Sequence, residues 1–366
     1  MNLSRIANKG TSAIKKYIPG KSVKEAQAEL GIAEMIKLAS NENAFGAAPS
    51  SVRSIRELAD QIHVYPDSQS REIRFRLAEQ LGVQAAEITT GNGADGVIYN
   101  LGMAVIDQGD EIIFPRITFP IYETISRVMR GIPVYSQMSD LHIDLADISR
   151  NIGERTKLVF LCNPNNPTGD ALPPEEVKAF LQSVPDHVLV VLDEAYIDFT
   201  EGESRLDSVG IFRDGMSNLF ILRSFSKIYG LAGLRFGYGI GDADLVALIN
   251  LIKPPFDVSI LAEQAAIEAL EDREFVHSTV EGCSEEKRYF YEQLDKLGLQ
   301  YIRSHTNFIL IDTGQDAQEV FQALLLQGII VRAATLYSLP NHIRVTIGQH
   351  AQNERFFEAL REVLTI

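Results

Sequence analysis

Lys227 follows an apolar run and the pair Ser224-Phe-Ser226, and Arg235 comes eight residues later. Two other apolar runs also end in polar clusters. Residues 157–162 lead into Asn163-Pro-Asn-Asn166-Pro-Thr-Gly169, and residues 188–192 lead into Asp193-Glu-Ala-Tyr196. A lysine stripped of solvent and set near other cations can lose its proton at neutral pH and attack a carbonyl. A carboxylate such as Asp193 can keep a pyridine nitrogen protonated, which makes the ring an electron sink. Tyr196 and Asn166 can hydrogen-bond a ring hydroxyl, although Asn-Pro-Thr-Gly is also a good turn sequence. Two hydroxyls, Ser224 and Ser226, and the guanidinium fork of Arg235 match the oxygens of a phosphate. Together these residues fit a pyridine aldehyde phosphate held covalently by Lys227.

For the clusters to meet, the runs before them must be neighbouring strands. The runs are continuously apolar, as in strands covered on both faces, and they alternate with helix-like stretches over residues 71–81, 95–105 and 175–182. This pattern predicts an α/β fold with a parallel or mostly parallel sheet flanked by helices. Ligands of such sheets sit beyond the carboxyl ends of the strands, where the three clusters would converge. A second phosphate element is Thr90-Gly-Asn-Gly-Ala94-Asp95, where a short strand turns into a helix whose N-terminal N–H groups favour an anion. Gly91-x-Gly93-x-x-Gly96 also satisfies a dinucleotide pattern, but Asp110 precedes its strand instead of ending it, which argues against a nicotinamide cofactor. Three divisions follow: an N-terminal arm over 1–35, a large domain over 36–253, and, after Pro254-Pro255, a smaller α+β domain over 254–366.

Lysine and arginine total 34 against 49 acidic residues, a net charge of −15 that disfavours nucleic acid and anionic membranes as partners. Small anionic substrates remain compatible, because a few arginines can dominate one pocket. Cys162 and Cys283 form no CxxC pair and read as buried, inert thiols. The seven histidines show no metal-ligand spacing, and no G-x-S-x-G elbow is present. The N-terminus lacks the apolar core of a signal peptide, and no apolar run approaches the ~18 residues of a membrane span. A cytoplasmic location is expected.

With these motifs in order, the chain resembles the fold-type I pyridoxal-phosphate aminotransferases, and among them the histidinol-phosphate aminotransferase subfamily. The resemblance runs through Lys16-Tyr17-Ile-Pro-Gly20, Leu38-Ala-Ser-Asn41-Glu-Asn43, Tyr65-Pro-Asp67 and Gly91-Asn-Gly-Ala-Asp95. It continues through Asn163–Gly169, Asp193–Tyr196, Ser224–Lys227 with Gly230–Arg235, and Ile343-Arg344-Val-Thr-Ile-Gly348. It implies pyridoxal 5'-phosphate bound covalently to Lys227, with Asp193 on the pyridine nitrogen and Asn166 and Tyr196 on its hydroxyl oxygen. It further implies Ala94, Asp95, Ser224, Ser226 and Arg235 around the phosphate, and Phe119 stacked on the ring. Tyr65 would reach the cofactor of a neighbouring subunit, so the resemblance implies a homodimer. Arg344 would take a substrate carboxylate, Tyr17 and Arg332 the phosphate of histidinol phosphate, and Asn43 would border the substrate.

Asn43-Ala44-Phe45-Gly46 lacks the proline expected after the second asparagine, and residues 333–340 depart from the expected small, Gly-rich segment. The implied activity is ping-pong transamination between L-histidinol phosphate and 2-oxoglutarate. The alternatives are an aromatic amino acid aminotransferase and a decarboxylase of a phosphorylated amino acid. A ligand sensor is disfavoured because the arm is too short for a helix-turn-helix pair with its own core.

Overall fold

The computed structural model of the chain describes residues 6–14, 23–32 and 34–365. Tyr17 lies outside the described residues. Seven strands form the main sheet: Ile88–Asn92 (β1), Glu111–Pro115 (β2), Ile132–Ser136 (β3), Thr156–Cys162 (β4), Leu189–Asp193 (β5), Leu219–Ser224 (β6) and Phe236–Ile240 (β7). Their order is β1-β7-β6-β5-β4-β2-β3, and only β7 runs antiparallel to its neighbours.

The apolar runs are continuous because successive side chains enter two different layers. On β4, Val159 and Leu161 join the core on one face, while Leu158, Phe160 and Cys162 join the core on the other. Leu219 and Ile221 of β6 separate from Phe220 and Leu222 in the same way. Register aligns the strand ends, since Asp193 lies opposite Cys162 on one side and Leu222 on the other. The polar clusters therefore leave the sheet at one edge.

β3 and β7 carry no strand signal that the sequence reading used. In β7, Phe-Gly-Tyr-Gly-Ile, glycine is a packing requirement. A Cβ on Gly237 would lie 2.4 Å from the Ala94 nitrogen, and one on Gly239 2.2 Å from the Phe220 ring. The bare Gly237 lets the sheet approach the helix that follows β1, Gly93–Val105 (α1), and the bare Gly239 makes room for the Phe220 ring of β6.

The second sheet holds Gln300–Tyr301 (β8), Phe308–Asp312 (β9), Arg332–Ala333 (β10) and His342–Thr346 (β11), antiparallel in the order β8-β9-β11-β10. Helices Arg273–Leu297, Ala317–Leu326 and His350–Leu364 share its apolar cluster. The first of these spans 25 residues. It starts at Arg273, where Asp272 caps the Phe275 N–H at 3.2 Å.

Two segments cross between the sheets. Ile36–Lys37 pairs in parallel with Ile329–Ile330, and Leu38 continues along the second sheet, accepting the Thr346 N–H at 2.8 Å. Helix Ile260–Glu271 (α2) lies after Pro254-Pro255, yet its Ala262, Ala265, Ala266 and Ala269 belong to the core of the main sheet. Small side chains there let Pro49–Leu58 approach closely, and Ser51 donates to the Ala265 carbonyl at 2.7 Å. Among the described residues, no helix is long and apolar enough to cross a membrane.

Candidate active site

A cavity of about 190 Å³ opens where the ends of β4, β5 and β6 face β11. Its lining includes Ala94, Asp95, Phe119, Asn166, Asp193, Tyr196, Ser224, Ser226, Lys227, Arg235, Arg332 and Arg344. Twelve of the residues singled out from sequence therefore meet in one space.

Lys227 is partly buried, with Nζ 3.3 Å from the Asn41 carbonyl, 3.5 Å from that of Ser40, and 5.4 Å from the Tyr196 ring centroid. Burial, reinforced by the Arg344 charge, lowers its pKa to about 8, so a usable fraction is free amine near neutral pH. Because the folded value lies below the ordinary 10.5, the amine opposes folding at neutral pH. Lys227→Met is expected to stabilise the cofactor-free protein by roughly 2–3 kcal/mol at pH 7. The wild type recovers that stability as pH rises from about 8 to 10.5, and the gap should close above 10.5. Chemical denaturation of both proteins across this range measures it.

Asp193 is buried beneath the cavity and its carboxylate has two donors, the Tyr122 hydroxyl at 2.6 Å and the Ala195 N–H at 3.0 Å. Burial raises its pKa to about 6, against the pull of these two bonds. Tyr196 accepts from Asn41 Nδ2 at 3.0 Å and stands edge-on to Phe308.

The wall on the β6 side is built for an anion. The Arg235 guanidinium lies 3.3 Å from Ser226 Oγ and 3.2 Å from Asp95 Oδ2, at the N-terminus of α1. Gly93 has φ +73°, and a Cβ there would lie 2.4 Å from Arg235 Nη2. This cradle needs glycine, as the Gly-Asn-Gly sequence suggested.

On the β11 side, Arg344 is buried and donates to Asn166 Oδ1, the Ala39 carbonyl at 3.0 Å and the Tyr337 hydroxyl at 3.4 Å. Its Nε is buried with no partner among the described residues, and the guanidinium lines the cavity.

Two of the residues singled out do not line this chain's cavity: Asn43, expected there, and Tyr65, expected at the cofactor of a neighbouring subunit. Asn43 does not line the cavity: its Nδ2 donates to the Ile228 carbonyl at 2.9 Å and its Oδ1 accepts from Phe45 N–H, so it braces the backbone beside Lys227. The asparagine of that stretch that reaches the cavity is Asn41. The Tyr65 ring is exposed and stacks on Phe256 at 4.6 Å, away from this chain's own cavity. Sequence reasoning did not select Tyr122 or Tyr337. Tyr122 sits three residues after Phe119 in a stretch that reads as ordinary amphipathic helix, and Tyr337 falls in the segment that departs from the resembled pattern. Among the described residues, no group of three or more His, Cys, Asp or Glu could hold a metal ion.

A family model for aminotransferase class I and II matches residues 33–360. The chain belongs to that family. Among relatives of this aminotransferase, the histidinol-phosphate aminotransferase of Moorella thermoacetica is 44% identical over 96% of this chain and 91% of its own length. Histidinol-phosphate aminotransferase 2 of Carboxydothermus hydrogenoformans is 41% identical over 99% of this chain and all of its own. The solved histidinol-phosphate aminotransferase of Sinorhizobium meliloti, in complex with pyridoxal-5'-phosphate, superposes with a TM-score of 0.89 at 27% identity, covering 98% of this chain and 97% of its own. The Thermus thermophilus aspartate aminotransferase shares the fold, with a TM-score of 0.83 at 23% identity over 98% of this chain and 99% of its own.

Proposed function

We propose that this aminotransferase exchanges an amino group between L-histidinol phosphate and 2-oxoglutarate, using pyridoxal 5'-phosphate held on Lys227, as a cytoplasmic homodimer. The observation that carries the reading is that Lys227, its pKa lowered to about 8, lines one cavity with a buried carboxylate, Asp193, and a buried guanidinium, Arg344. The names of the full-length relatives favour histidinol phosphate over an aromatic amino acid.

The donor set fits the cofactor. Asp193 suits the pyridine nitrogen, Tyr196 and Asn166 the ring hydroxyl, Phe119 the ring face, and Ser224, Ser226, Arg235 and the start of α1 the phosphate. When bound, pyridoxal phosphate would supply an aldehyde for Lys227 and an electron-withdrawing ring. Asp193 would hold negative charge for the ring nitrogen. Lys227 Nζ, once free, takes the proton from the substrate α-carbon and delivers it within the same cavity, an intramolecular transfer that lowers the entropic barrier. Arg344 suits a carboxylate of 2-oxoglutarate or glutamate, and Arg332 on the same wall suits an anionic far end such as a phosphate.

Lys can supply the charge of Arg344 but not its fork. Arg344→Lys should therefore raise the KM for 2-oxoglutarate by roughly tenfold or more while changing kcat less, as read by steady-state kinetics. For the dimer, the exposed rings of Tyr65 and Phe256 and the exposed Leu251 are apolar surface that a second copy would cover. Sedimentation at a concentration series measures this.

Titration of the cofactor-loaded protein with histidinol phosphate, and separately with phenylalanine, tests the reading as a whole. Conversion of the visible cofactor band by micromolar histidinol phosphate is the expected result. Conversion by phenylalanine alone would move the assignment to an aromatic aminotransferase. Absence of any band after pyridoxal phosphate is added would refute the cofactor.

A further inference from the structure

The mechanism above uses Asp193 but leaves unexplained why its carboxylate is tied to a fully buried phenol. Tyr122 has no exposed surface, and its ring stacks on Phe160 at 4.5 Å and meets Phe119 edge-on at 5.9 Å. With Phe114 at 6.4 Å on a further side, three aromatic neighbours hold the ring whose O–H donates to Asp193 Oδ2 at 2.6 Å. Phe119 itself lines the cavity, and the helix Ile121–Val128 that follows it carries the Tyr122 hydroxyl.

We propose that Tyr122 is the positioning residue for Asp193: its hydroxyl holds the carboxylate oriented and ionised, leaving a lone pair for the ring nitrogen of the cofactor. The inference rests on the pyridoxal-phosphate reading given above. Ala195 N–H occupies the other oxygen, Oδ1, so the two donors fix the carboxylate plane between them. Each oxygen keeps unused acceptor capacity. The remaining ionisable groups that act on Asp193 are Cys162 on the adjacent strand, Glu194 next in sequence and Asp95 at the start of α1. Asp95 and Glu194 make ionisation harder, which gives the phenol a task. Tyr122 keeps its own proton throughout, because burial and the Asp193 charge push its pKa well above the ordinary range.

Tyr122→Phe keeps the ring packing and removes only the hydroxyl. Without that donor the carboxylate takes a proton at higher pH, and pairing with the ring nitrogen is lost as pH falls through that value. The experiment is an absorbance titration of the cofactor-free protein with pyridoxal phosphate over a series of pH values. In the wild type, affinity should decline on the acid side near pH 6, where Asp193 protonates. In Tyr122→Phe the decline should begin at higher pH, with affinity near neutrality roughly tenfold weaker and KM for the amino substrate within about twofold of wild type. Phe160→Leu, which loosens the same packing but spares the hydroxyl, should keep the wild-type acid limb. An acid limb and affinity unchanged in Tyr122→Phe, beside clear binding by the wild type, would overturn this inference alone, as would a limb shifted equally by Phe160→Leu. No binding by the wild type at any pH would instead bring down the cofactor reading and this inference with it.

Discussion

Lys227→Ala should lower steady-state transamination by about 10⁴-fold or more, because in the proposed reaction one side chain both carries the cofactor and moves the proton. Nζ lies where the ends of β5 and β6 meet the Ser40–Asn41 backbone, and among the described residues that line the cavity no other is a lysine. Loss of the covalent attachment and loss of the base strike the same reaction, so the two effects compound. Borohydride reduction followed by mass spectrometry should attach cofactor to Lys227 in the wild type and to no residue in the variant. Added methylamine should return part of the rate, since it restores an amine but not its placement. Steady turnover by the purified variant, free of wild-type contamination, would refute the assignment of Lys227.

Arg223→Leu should destabilise the fold by about 3–5 kcal/mol, the cost of leaving a buried charge uncompensated. Glu194 has no exposed side-chain surface, and Arg223 reaches it through Nη2 at 2.8 Å and Nε at 2.9 Å. Their attraction raises the Arg223 pKa, while burial alone would lower it. The pair joins the ends of β5 and β6, and its members directly neighbour Asp193 and Ser224. The double change Glu194→Gln with Arg223→Met should recover much of the lost stability, since neither partner is then a stranded charge. Urea unfolding of the cofactor-free single and double variants measures both values. A single variant as stable as the wild type would show that the pair is a bystander to the fold.

Much of the site could be read from sequence because its chemistry sits at strand ends. An apolar run followed by Asp193-Glu-Ala-Tyr196 or Ser224-Phe-Ser-Lys227 states both an element and what it delivers, and parallel strands in register bring such ends together. Lys227, Asp193, Asn166, Tyr196 and Arg235 were accessible for that reason, as was the fold class. The glycine and acid of Gly93-Ala-Asp95 likewise announce a helix start before it is seen.

Other features depended on contacts remote in sequence. Asn41, and not Asn43, reaches the cavity because the chain from Ile36 is pinned along the second sheet, with Asn307 donating to the Asn41 carbonyl from 266 residues away. Tyr122 meets Asp193 across 71 residues, and a tyrosine in an amphipathic helix gives no sign of what its hydroxyl will touch. The short strand of alternating glycines at β7 exists because α1 and Phe220 press against it, a steric demand with no local signature. Helix α2 joins the main core through its alanine face, although Pro254-Pro255 reads as a boundary before it. Motif chemistry and the period of apolar residues are local properties, so sequence alone determined the sheet class and the reactive set. Which hydroxyl supports which carboxylate, and which backbone carbonyl holds which guanidinium, is decided by the packing of side chains from tens to hundreds of residues apart, and only the tertiary structure supplied it.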